Sequence, residues 1–125
     1  MTKWMNQRKS TMALKIKWND DRVRGATTAI LLLSRERLAR GETTDLIAAA
    51  LTEYREDPAA YKINKAHWPD AKELGRLKNP AHVATYRNLQ GAIDRLYPKM
   101  QQAKLQFNSL LELDNWLVAT LKNVR

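Results

Sequence analysis

The sequence predicts a mainly helical protein with one strand near its N-terminus. Two periodicities and one absence carry this reading. Residues 11–18, TMALKIKW, place Met12, Leu14, Ile16 and Trp18 on every second position, with Thr11, Ala13, Lys15 and Lys17 between them. Such alternation marks a half-buried strand, because successive side chains point to opposite faces. From Asn19 onward the apolar residues recur at helical spacing instead. No second alternating run follows, so the strand has no evident partner in its own chain.

The helical elements follow in order. Asn19–Arg40 carries Val23, Ala26, Ile30, Leu31, Leu33 and Leu38 as an apolar set. Gly25 weakens its early part, leaving 19–25 as helix or loop and 26–39 as the regular helix. Gly41 ends it where a left-handed cap is usual. Next comes ETTDLIAAALTEYRED, with Thr43 or Thr44 as the expected cap and Ile47, Ala50, Leu51 and Tyr54 on one helical face. Pro58 closes that element. DPAAYKINKAHWPD reads as a connector with Tyr61 and Trp68 as aromatic anchors, and Pro69 opens a short helix to about Leu77. Asn79 caps a further helix with Pro80 at its first position. Its expected buried face is Val83, Tyr86, Leu89 or Gln90, Ile93 and Leu96.

Pro98 is expected to break or kink the chain there. Beyond it, Lys99–Asn123 reads as one long amphipathic helix with Met100, Ala103, Phe107, Leu110, Leu111, Leu117, Val118 and Leu121 on its main face. Leu113, Trp116 and Thr120 form a second apolar line. That breadth fits core packing first and a dimer or partner surface second.

Composition bounds the function. At 125 residues the chain is one domain, or a small domain with an extension. The absence of cysteine excludes disulfides and thiolate metal sites, which suits the cytoplasm. Wholly apolar runs such as Ala29–Leu33 are far too short to span a bilayer. No apolar segment of signal-peptide type follows the basic N-terminus, while the acid-free first 19 residues leave a transit peptide open.

The net charge is +9 and unevenly placed. Residues 1–40 hold ten Lys or Arg against Asp20, Asp21 and Glu36; residues 41–58 hold Arg55 against five acids. A strongly basic N-terminal third beside an acidic helix suggests a surface for a polyanion. Catalysis is not expected. His67 and His82 lack metal-ligand spacing, and Ser10, Ser34 and Ser109 stand in no nucleophile motif. The glycines form no phosphate loop, and Asp20–Asp21 and Glu56–Asp57 sit where capping suffices. No cofactor is implied.

Strand, helix, glycine turn and helix, in that order over about residues 8–56, resembles the ribbon-helix-helix DNA-binding proteins. LKIKW is similar to the ribbon of Arc-type repressors, which also closes with an aromatic after a basic residue. ETTDLIAAALTEY is similar to the family's second helix. Plasmid-partition adaptors share this start and add a helical C-terminal region. The resemblance implies that the strand pairs with its copy from a second chain, forming a homodimer or higher oligomer with a ribbon for the DNA major groove. It places Leu14, Ile16 and Trp18 toward the helices and Ala13, Lys15 and Lys17 toward the groove. Lys3, Arg8 and Lys9 would touch phosphates from a leader, and Thr43 and Thr44 would offer backbone N–H groups to another.

The expected organisation is therefore a DNA-binding and dimerisation part at 1–57 and a helical assembly or partner-docking region at 58–125. The expected task is regulation or partition on bacterial, plasmid or phage DNA, in the cytoplasm. Two other readings stand beside it. One is an all-helical nucleic-acid-binding subunit of a ribonucleoprotein, such as a CRISPR effector small subunit, gripping RNA or DNA by its backbone. The other is a helical scaffold or inhibitor of an acidic protein.

Overall fold

The computed structural model describes residues 15–58 and 77–124. The leader with Lys3, Arg8, Lys9 and Ala13, the first half of the predicted strand, the aromatic connector and most of the predicted helix from Pro69 lie outside the described residues. What is described is mainly helical, with a small antiparallel sheet: β1 (Ile16–Lys17), α1 (Asp21–Ala39), α2 (Leu46–Glu56), α3 (Pro80–Ala103), β2 (Gln106–Phe107) and α4 (Leu110–Leu121).

β1 corrects the first expectation. Its partner is β2 of the same chain, with Ile16 opposite Phe107 and Lys17 opposite Gln106. Ile16 and Phe107 are buried and Lys17 and Gln106 exposed, so the sheet has one face in the core and one in solvent. The described part of the strand thus satisfies its backbone within the chain.

α1 starts five residues earlier than Gly25 suggested. The backbone turns at Lys17–Asp20, where Asp20 N–H donates to the Lys17 carbonyl (3.0 Å). Asp20 then caps the helix by accepting from the Arg22 N–H (2.8 Å). The Arg22 guanidinium folds back onto the same carboxylate and holds its pKa below the usual range. At Gly25 a Cβ would stand 3.0 Å from the Tyr54 hydroxyl of α2, so the glycine serves a close helix approach. α1 is buried without interruption from Ala26 to Leu31 because α2 and α3 both pack on it. It ends as predicted at Gly41 (φ 81°): Gly41 N–H bonds to the Leu38 carbonyl and Glu42 N–H to Arg37, the two closing bonds of a Schellman turn.

In α2, Ile47, Ala50 and Leu51 are buried and Tyr54 is half-buried, on the face expected. The cap residue is Asp45 rather than Thr43 or Thr44; it sits at φ 48° and its side chain makes no capping bond. α3 opens as read from the sequence, with Asn79 Oδ1 accepting from the Ala81 N–H (2.9 Å) ahead of Pro80. Tyr86, Leu89, Ile93, Leu96 and Met100 form its buried stripe, with Val83 half-buried. Pro98 does not break this helix. Pro98 and Asp94, whose carbonyl loses its N–H partner there, both lie on the exposed side of the helix, where water can replace the missing bond.

The break falls six residues later, which corrects the single helix expected over Lys99–Asn123. Lys104 adopts a left-handed conformation (φ 50°), and its N–H and that of Leu105 close α3 onto the Gln101 and Met100 carbonyls. After β2, Ser109 and Glu112 form a capping pair: Ser109 Oγ accepts from the Glu112 N–H, and Glu112 Oε2 accepts from the Asn108 N–H. The break resets the helical phase. Leu113, Leu117 and Leu121 face inward, while Leu110 and Leu111 of the expected main face are 39% and 70% exposed. Arg55 of α2 clamps Asp114 of α4 with two hydrogen bonds of 2.8 Å. One hydrophobic cluster joins Ile16, α1, α2, α3, Phe107 and α4.

Two tyrosines of α3 carry opposite consequences. The Thr27 hydroxyl donates to the Arg24 carbonyl and so accepts from the Tyr97 hydroxyl at 2.7 Å, linking α1 to α3. Tyr86 is fully buried and its hydroxyl has no hydrogen-bond partner among the described residues; burial pushes its pKa well above the tyrosine range. Urea denaturation is expected to show Tyr86→Phe more stable by about 1 kcal/mol, since an unpaired buried hydroxyl disappears. Tyr97→Phe is expected to be less stable by about 1 kcal/mol. Destabilisation by both substitutions would contradict the assigned partners.

Candidate nucleic-acid interface

The exposed face of the β1–β2 ribbon follows from its buried face. With Ile16 and Phe107 in the core, alternation turns Lys15 and Lys17 outward on one strand and Gln106 outward on the other. Asn108, exposed one residue past β2, continues that line. Lys104, two residues before β2, is exposed in its left-handed turn. Arg24, in the second turn of α1, is exposed and lies close enough to Tyr97 to act electrostatically on its hydroxyl. Lys99 lies one turn before the end of α3. The ribbon end of the molecule thus gathers lysines, an arginine and two side-chain amides.

Ion pairing separates this end from the rest of the helical surface. Arg22 is paired with Asp20, Arg35 with Glu36, Arg37 with Glu42 and Glu53, Arg40 with Glu42, and Arg55 with Asp114. Lys15, Lys17, Arg24, Lys99 and Lys104 form no ion pair among the described residues; the same holds for Lys78, Arg87 and Arg95 on and before α3, and for Lys122 after α4. Among the described residues the arginines of α1 other than Arg24 are therefore paired, while the cations at the ribbon end are not.

Of the residues expected to contact nucleic acid, Lys15 and Lys17 stand together on this face. Thr43 and Thr44 do not join them. They are exposed beyond the far end of α1, a 19-residue helix roughly 28 Å long, next to the carboxylates of Glu42 and Asp45. There Thr43 and Asp45 line a cavity of about 460 Å³ floored by Leu38, Leu89 and Leu121. Sequence reasoning missed Lys104, Gln106 and Asn108 because β2 was hidden inside a helical pattern; the Ser109-x-x-Glu112 pair was the available signal of a helix start. His82 is half-buried in the first turn of α3. Among the described residues no three His, Asp or Glu side chains form a metal-sized group, and no helix is long and apolar enough to cross a membrane.

Comparison with known proteins found no matching family model, no matching curated protein and no matching solved structure.

A lysine at positive φ costs about 1–2 kcal/mol relative to ordinary helical backbone, a cost glycine does not carry. Lys104→Gly is therefore expected to leave thermal stability unchanged or raise it, as a melting curve would record. A loss above about 1 kcal/mol would show that the Lys104 side chain holds the turn together.

Proposed function

We propose that this chain binds DNA through the outer face of its β1–β2 ribbon and serves in regulation or partition on bacterial, plasmid or phage DNA. The observation that carries the reading is the contrast in charge pairing. The ribbon face offers unpaired lysines beside two amides, while the arginines of α1 and α2, Arg24 excepted, are each held by a carboxylate. The major groove admits a two-stranded ribbon, in which lysine donates to guanine O6 and N7, and glutamine bonds adenine N6 and N7. The order β1, α1, Gly41 turn and α2, shared with the ribbon-helix-helix plan, supports this reading. In this reading the second strand comes from the chain's own β2, so one copy presents a complete ribbon. Lys15, Lys17 and Gln106 meet base edges; Lys104 and Arg24, with Lys3, Arg8 and Lys9 of the leader, meet phosphates.

A specific observation favours a second reading. Each strand is only two residues long, and unpaired Arg87 and Arg95 extend the basic surface along α3. A ribonucleoprotein subunit gripping a backbone without reading bases needs no more than this.

Fluorescence anisotropy with duplex DNA, single-stranded DNA and RNA at two salt concentrations separates the readings. Duplex is expected to bind best, with a log–log salt slope of about −4 to −5 for four to six phosphate contacts. Lys17→Ala is expected to cost about 1–3 kcal/mol on a selected site and much less on random duplex. Lys104→Gly is expected to weaken both equally and flatten the slope by about one. Equal losses for Lys17→Ala on both duplexes, with RNA or single strands preferred, would support the ribonucleoprotein subunit. No binding to any of them at about 50 mM salt would remove both readings.

A further inference from the structure

α3 carries cations that no neighbouring carboxylate answers. Arg87, Arg95 and Lys99 within it and Lys104 at its end are exposed, and none forms an ion pair among the described residues. Asp94 is the one acidic residue of α3, and it acts on the Tyr97 hydroxyl, on the side of the helix toward α1. Arg87, Gly91, Arg95 and Lys99 recur at every fourth position, so they follow one another along the outer side of α3, opposite its buried stripe. Gly91 shapes this row. Among the described residues, a Cβ there would meet only the Arg95 side chain, with Nη1 at 3.2 Å. No described neighbouring element therefore requires a glycine, although glycine is the poorest helix former after proline. Its effect is to let the Arg95 guanidinium lie against the helix, one turn back toward Arg87. Two unpaired arginine charges are thereby brought closer along one face.

We infer that the outer side of α3 is a track for one sugar–phosphate strand of the DNA, with Arg87 and Arg95 clamping phosphates and Lys99 and Lys104 leading the strand to the ribbon. This rests on the DNA-binding reading and adds to it the course of the duplex beyond the ribbon. Charge complementarity names the occupant. Unpaired guanidinium groups match phosphate oxygens, which they hold through two parallel N–H···O bonds. The track is continuous with the ribbon, since Lys104 ends α3 and Gln106 opens β2 two residues on. From Arg87 to Lys104 it runs about 25 Å, or about seven base pairs of rise. Contacts of this kind hold the backbone and carry no base preference, which separates them from those of Lys15, Lys17 and Gln106.

Fluorescence anisotropy on the full chain, with a selected and a random duplex at two salt concentrations, tests the track. Arg87→Gln and Arg95→Gln together are expected to weaken both duplexes by about ten-fold and to flatten the log–log salt slope by about two. The ratio between the two duplexes and the circular-dichroism spectrum are expected to stay unchanged. Gly91→Ala is expected to keep or raise the melting temperature while weakening binding by about three-fold, because the added methyl displaces the Arg95 guanidinium. Lys122→Gln, which removes an unpaired charge after α4, is expected to change affinity by less than about two-fold, against about three-fold for Arg95→Gln alone. Full-strength binding by the double arginine variant, while Lys17→Ala still weakens the selected duplex, would overturn the track and leave the ribbon. A loss from Lys122→Gln equal to that from Arg95→Gln would reduce the arginines to bulk charge and overturn it too. No binding of either duplex by the unaltered chain at about 50 mM salt would overturn the track together with the DNA-binding reading.

Discussion

The pairing of Ile16 with Phe107 is the contact on which the rest of the arrangement depends. It joins residues ninety-one positions apart, and both side chains are almost wholly buried. Because a strand has only two faces, burying these two side chains decides where their neighbours go: Lys15, Lys17 and Gln106 have no course but outward. The same contact fixes the entry to α1, since the Lys17 carbonyl receives the Asp20 N–H that opens the capped turn. It fixes the entry to α4 as well. Trp116 packs its ring 5.7 Å from that of Phe107, and the Ser109–Glu112 cap follows directly. The exposed basic face and two helix starts thus rest on one hydrophobic pair.

Charge acquires meaning through pairing rather than through its total. Surface ion pairs such as Arg40–Glu42 contribute little to stability, typically below 1 kcal/mol. Their larger effect is on the field that a polyanion meets. Along α1 and into α2 the arginines other than Arg24 are engaged by carboxylates, so their charge is locally compensated. At the ribbon the cations are left unpaired beside amide side chains. A net charge of +9 alone gives no such location.

What was legible in the sequence is what local chemistry decides. Asn79 and Pro80 mark the start of α3, Gly41 the end of α1, and the stripe from Tyr86 to Leu96 the core face of α3, because each depends on residues within a few positions. The missed features have non-local or very short causes. β2 is two residues long, too short to show alternation, and Phe107 is a strand residue only because Ile16 lies across from it. α3 stops at a lysine, where the usual signal is glycine, so the helical pattern seemed to run on. That oversight carried the phase of α4 with it and placed Leu110 and Leu111 inside. Half of the ribbon face was likewise readable from the alternation at Lys15 and Lys17. The other half, Gln106 with Asn108 and Lys104, came only with the second strand.

The most direct test of this account asks which chain supplies the partner of β1. An equimolar mixture of ¹³C-labelled and unlabelled full chain, studied by isotope-filtered NOE spectroscopy, distinguishes contacts within one chain from contacts between two. The account predicts a strong contact between the Ile16 side-chain methyls and the Phe107 ring inside a single chain, and none between labelled and unlabelled chains. An Ile16 strand contact seen only between chains would contradict it, and would return the ribbon to a pairing of two N-terminal strands.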